Sequence, residues 1–254
     1  MQRETRRTAM HFNAQTILEH LASVEAQRRR RRGDVALDLR VRAVKAYQQR
    51  RFIHTYDDLL KHPRYSAAAR FFLDELYGPK DFTDRDTQFA RVVPALVRLF
   101  PQDIVDVVGL LAELHALSEQ LDTAMAEHVD GVAVDAPAYI AARQATGAPA
   151  LRGRQIQLTL DVGLALDKFV RQPLLRHTLR LMRGPARAAG LADLQTFLES
   201  GFDTFRAMRG ADQFLAWVAE RERRLVDALF AADVANPSAW KAAVDDLPGA
   251  AETP

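Results

Sequence analysis

Apolar residues in this chain recur at every third or fourth position. That spacing places them on one face of an α-helix and leaves no sheet for them to face. Ile17, Leu18, Leu21 and Val24 form one such stripe, and Phe89, Val92, Val93, Leu96 and Leu99 form another. No alternating run rich in β-branched residues appears, nor any Asn-Gly or Asp-Gly hairpin signal. Ala, Leu, Arg, Glu and Gln, all good helix formers, fill the chain. An all-α fold follows, a single bundle-like domain of about eight to ten helices. At 254 residues, 48% apolar and 27% charged, the chain buries enough surface to fold without a disulfide or metal.

Breakers and caps divide the pattern. Asn13 caps a first helix that runs into five arginines at 28–32, read as a solvated helix end, and stops near Gly33. Asp34 caps a second helix reaching about His62, where Pro63 ends it. A third covers roughly 66–77 and stops at Gly78-Pro79. Thr83 and Asp86 form a capping-box pattern opening a helix that contains Pro94. Pro101 opens the next, reaching about His128, and Pro137 opens one that Gly147 ends. Further helices fall near 151–171, 173–188, 191–207 and 211–233. Residues 1–12 and 237–254 are expected to be tails, with the helical domain over 13–236.

Composition excludes several chemistries. With no cysteine, thiol nucleophiles, thiolate metal sites and disulfides are impossible. A cytoplasmic location is expected, because a reducing compartment suits such a chain and no apolar stretch follows the early arginines. No apolar run reaches the roughly 18 residues of a membrane span. There is no Gly-x-Ser-x-Gly, no P-loop, no Gly-x-Gly-x-x-Gly and no Glu-x-x-His, so no cofactor is expected. Asp57-Asp58 lacks the third carboxylate of a magnesium motif, because Lys61 stands there.

The stretch at 71–86, FFLDELYGPKDFTDRD, resembles a signature of an uncharacterised family of proteobacterial proteins. Residues 110–122, LLAELHALSEQLD, and the stretch 171–190 are similar to that family as well. The resemblance implies a bacterial source and no activity. Physics supplies a packing account of the signature: Phe72, Leu73, Leu76 and Tyr77 plug a core, Gly78 caps, and Asp81 and Asp86 bond turn and helix amides. Arg85 has Asp81 or Asp74 as candidate partners. The functional account has Asp81, Arg85 and Asp86 lining a pocket.

His115, Glu119 and Asp122 lie at i, i+4 and i+7, on one helix face. They are either metal ligands or a polar stripe between helices, and the absence of Glu-x-x-His favours the second. Arg176, Arg180, Arg183 and Arg187 make a longer stripe, in a stretch with no acid from Lys168 to Ala192. Four aligned cations repel unless covered. Glu199, Glu220, Glu222 and Asp227 are candidate partners, and a nucleic-acid or phosphate ligand is the competing explanation. The net charge of +2 is also divided, since residues 1–70 hold sixteen Lys+Arg against seven Asp+Glu. Attraction between the two parts of one fold is favoured over a basic face for an anionic partner. The helix-turn-helix look of 186–199 fails, because its second helix carries Asp193 and Glu199 and no cation. The expectation is a binding or regulatory module, with a protein partner or a second copy of the chain possible and nucleic acid and membrane not expected. The alternative is a helical enzyme with a pocket at Asp81, Arg85, Asp86, His115, Glu119 and Asp122.

Overall fold

The computed structural model describes residues 11–76, 80, 82–236 and 247–248, and all structural statements below concern these. Asp81, Tyr77 and the Gly78-Pro79 breaker lie outside them, as do most of the two expected tails. Helices dominate the described residues, and no strand occurs among them. In chain order they form α1 (Ala14–Arg32), α2 (Val35–Thr55), α3 (Asp57–Lys61), α4 (Ser66–Leu76), α5 (Thr83–Leu99) and α6 (Gln102–Ala126). There follow α7 (Ala136–Thr146), α8 (Pro149–Phe169), α9 (Pro173–Leu181), α10 (Arg183–Ala188), α11 (Ala192–Met208) and α12 (Asp212–Ala231). None of these helices is long and apolar enough to cross a membrane.

Local chemistry sets most of the boundaries. Asn13 accepts from the Thr16 amide at 3.0 Å, and Thr16 Oγ1 accepts from the Asn13 amide at 3.1 Å, a reciprocal cap. Asp34 and Asp135 accept from the amides of Leu37 and Ala138, each at 2.9 Å. Gly147 ends α7 at φ +66°, a conformation side chains resist.

Three boundaries depart from the sequence reading. The helix expected from 35 to 62 breaks at Tyr56, which packs fully buried in the core and donates its hydroxyl to Glu222 at 2.8 Å. The helix expected over 173–188 divides at Met182, because Pro185 has no N–H and its ring conflicts with a carbonyl one turn back. Thr83 and Asp86 form no capping box: α5 starts after Phe82 with no side-chain cap, and the Asp86 carboxylate is buried elsewhere.

α6 runs through the middle, packed against α1, α2, α5, α7 and α8. The chain start is keyed to it. The Phe12 ring lies over Gly109, where a Cβ would come within 2.0 Å of it. Phe12 N donates to Asp106 Oδ1 at 3.0 Å. The apolar core falls into separate clusters. One joins α4, α8, α11 and α12 around Phe72, Phe205 and Phe214, another joins α2, α7 and α12 around Tyr47 and Tyr139, and a third joins α1, α5 and α6 around Ile17 and Val93. A fourth cluster sets Leu114, Leu117 and Leu121 of α6 against Leu158 of α8.

Candidate functional site

A cavity of about 130 Å³ opens where α1, α2, α5, α6, α8 and α11 meet. Its apolar wall includes Leu21, Phe89, Leu111 and Leu114, with Leu194, Phe197 and Leu198 supplied by α11. Arg85, Asp86, His115, Glu119 and Asp122 also line it, so the two stretches joined in the enzyme alternative meet in one place.

Asp86 is the junction. Its Oδ2 lies 2.6 Å from Arg28 Nη2 and 2.7 Å from His115 Nε2, and its Oδ1 lies 3.6 Å from Arg85 Nε. Burial pushes this carboxyl up, but the His115 hydrogen bond and the charges of His115, Arg28 and Arg85 outweigh it and hold it below the usual range. Arg85 is seated between two rings, 4.0 Å from the Phe82 centroid and 4.6 Å from that of Phe197. Such stacking fixes the guanidinium plane at the cavity wall. Of the two partners expected for Arg85, Asp81 lies outside the described residues, and among these Glu75, at 3.3 Å, stands beside Asp86 in place of Asp74.

Deeper in, Glu119 is 4% exposed and meets Lys45 and Arg31, the latter at 2.6 Å. Burial pushes its carboxyl up, yet the charges of Lys45 and Arg31 and the Lys45 hydrogen bond bring it down to about 2. One turn on, Asp122 accepts from Gln48 Nε2 at 2.8 Å. Here burial wins over Lys45 and Arg152, Glu119 adds to it, and the Asp122 carboxyl is raised. Neighbouring carboxyls are thus driven in opposite directions. No group of three or more His, Asp or Glu gathers to hold a metal among the described residues. Within the stripe, Glu119 instead pairs with Arg31 of α1 and Lys45 of α2, and Asp122 accepts from the Gln48 amide.

The basic run at 28–32 is therefore only partly the solvated end expected. Arg28 and Arg31 point inward and are 9% and 7% exposed, while Arg29, Arg30 and Arg32 face solvent. The Arg176–Arg187 stripe lies apart from the cavity. Arg183 makes a two-pronged pair with Glu199 (2.6–2.8 Å), and Arg176 lies 3.1 Å from Asp203. Asp203 was not among the expected partners, and Glu222 pairs with Arg51 instead. Arg180 and Arg187 have no carboxylate within 4 Å among the described residues.

Lys45, Gln48, Ser118, Gln155 and Thr159 also line the cavity and were not singled out by sequence. The signal was present for the first two: Lys45 and Gln48 share a helix face with the buried Val41 and Val44.

The raised Asp122 carboxyl makes a direct prediction. An acid whose folded value is raised favours the fold below its unfolded value and opposes it as pH rises through the folded one. Asp122→Asn keeps the Gln48 acceptor and removes the charge. It is expected to raise stability by about 1 kcal/mol at pH 7 in urea unfolding, with the gain gone below about pH 4. A loss at pH 7 would show that the anion is needed by Lys45 or Arg152.

A family described as Domain of unknown function (DUF8198) matches residues 27–236. No curated protein and no solved structure matches the chain.

Proposed function

The chain belongs to the DUF8198 family, which brings no activity with it, and we propose from the site that the protein binds a small molecule in the cavity between α5, α6 and α11. The observation that carries this reading is the convergence of Arg85, Asp86, His115, Glu119 and Asp122, from two helices, on one mainly apolar cavity. Ligand sites have this make-up, an apolar enclosure with a few placed polar groups, and shifted carboxyls concentrate at them. At about 130 Å³ the cavity is close to one of roughly 150 Å³ that accepts benzene. The internal pairs of Arg176 and Arg183 favour a structural role for that stripe over nucleic acid.

A thermal-shift panel of benzene-sized acids, amines and neutral molecules tests the proposal. At least one class should stabilise the protein, by about 2.7 kcal/mol at a hundred times its dissociation constant. Ser118→Phe, which fills the cavity, should abolish that shift while the variant stays folded. A panel that leaves the wild type unmoved, or shifts Ser118→Phe equally, overturns it.

A second reading rests on the opposed shifts of Glu119 and Asp122. Pairs of carboxyls driven apart divide the acid and base roles in enzymes. On that reading Asp122 holds the transferable proton, and Asp122→Asn binds the panel ligand without converting it. A ligand recovered unchanged from the wild type removes this reading.

A further inference from the structure

A second, smaller cavity of about 50 Å³ lies behind the first, between α2, α4, α7, α8 and α12. The two share Gln48, Gln155 and Thr159 as a common wall. Three guanidiniums line the inner cavity: Arg51, Arg143 and Arg152, exposed by only 4%, 7% and 3%. Among the described residues, Glu222 is the one carboxylate that lines this cavity, and it is taken by Arg51 and the Tyr56 hydroxyl.

Arg143 is the informative member. Its Nη1 lies 3.4 Å from the Tyr139 hydroxyl and its guanidinium 5.8 Å from the Phe230 centroid. No carboxylate stands within 4 Å of it among the described residues, and its buried Nε has no hydrogen-bond partner. A cation enclosed this way is unstable in the fold unless an anion joins it. A guanidinium presents a planar fork of donors that matches the two oxygens of a carboxylate or phosphate.

We propose that the inner cavity takes the oxyanion, carboxylate or phosphate, of a small molecule whose apolar body occupies the outer one. The inference rests on the outer cavity being a ligand site, and adds the chemical class. The cationic excess at Arg143 excludes an amine head there. The side chains that stand between the two cavities, Gln48, Gln155 and Thr159, carry no charge.

The test uses five probes on the full chain by titration calorimetry: benzoate, phenylphosphonate, benzamide, acetate and inorganic phosphate. Benzoate or phenylphosphonate should bind at least tenfold tighter than benzamide, and Arg143→Met should remove that advantage. The free protein carrying Arg143→Met should melt no lower than wild type, because the arginine meets no acid; a structural arginine would lower it. If Arg143→Met does not fold, Arg143→Lys keeps the charge without the fork and should weaken the anionic probes about tenfold; equal affinity overturns the proposal. Acetate or phosphate binding alone, with the same dependence on Arg143, supports the oxyanion site and assigns it to a free anion. Benzamide binding as tightly as benzoate overturns the anion assignment and leaves the outer cavity as a site. So does silence from all five probes in a protein that responds to another member of the wider panel. Silence from that panel too defeats both.

Discussion

Glu119→Gln is expected to lower stability by about 3–5 kcal/mol at pH 7, a fall of about 6–20 °C in melting temperature. The amide keeps the shape of the side chain and removes the charge that Lys45 and Arg31 share. Both cations are largely enclosed; among the described residues Lys45 loses the one carboxylate it pairs with and Arg31 keeps only Asp38, at 4.0 Å, and this sets the size of the effect. A second route gives a similar figure. A carboxyl held at about 2 instead of 4.5 contributes about 3 kcal/mol once both states are ionised. Because the folded value is depressed, that contribution is present above the unfolded value and lost as pH falls through the folded one. Wild type and variant should therefore differ fully at pH 7 and converge as pH drops from about 4.5 towards 2. Urea unfolding across that range decides it. A difference under about 1 kcal/mol at pH 7 would show that water reaches the cluster and screens it.

Asp86→Ala should be nearly as damaging, by about 3–5 kcal/mol. Had Asp86 been a helix cap, as its position after Thr83 suggests, the loss would be about 0.5–2 kcal/mol. In the fold it joins Arg28 of α1, His115 of α6 and Arg85 of its own helix, so its removal strands the buried Arg28. The double variant Arg28→Met with Asp86→Ala separates the two accounts. Removing both ends of a buried pair should recover part of the loss, whereas losses at a cap and at a distant arginine would add. Measured free energies for the four members of the cycle supply the coupling.

The helices were legible because each buries one face, and burying one face imposes a period of 3.6 on the sequence. What the period does not carry is which helix faces which. Arg85, Asp86 and the stripe at His115, Glu119 and Asp122 were recognisable as unusual polar positions. A pocket joining them stood only as the enzyme alternative, and the cations that hold it were not read as part of it, because Arg28 lies 58 residues from Asp86 and Lys45 lies 74 from Glu119. The partners still left a trace. Arg28 and Arg31 occupy the next places in the stripe Ile17, Leu21 and Val24, where another apolar residue belongs. Within five consecutive arginines that register was easily missed, since a run of one residue type wraps every face. The break at Tyr56 left no such trace: the Glu222 that accepts its hydroxyl lies 166 residues away.

The two halves of α1 make different demands on heredity. Its first turns ask only for apolar volume against α6, a requirement that many combinations of side chains satisfy. Its last turns must place two guanidiniums opposite Asp86 and Glu119, which a lysine or an apolar residue does not replace. The family match opens at residue 27, inside the helix and one position before Arg28. The match thus takes in the last turns of α1, which carry both inward-facing arginines, and leaves out Ile17, Leu21 and Val24 of its first turns.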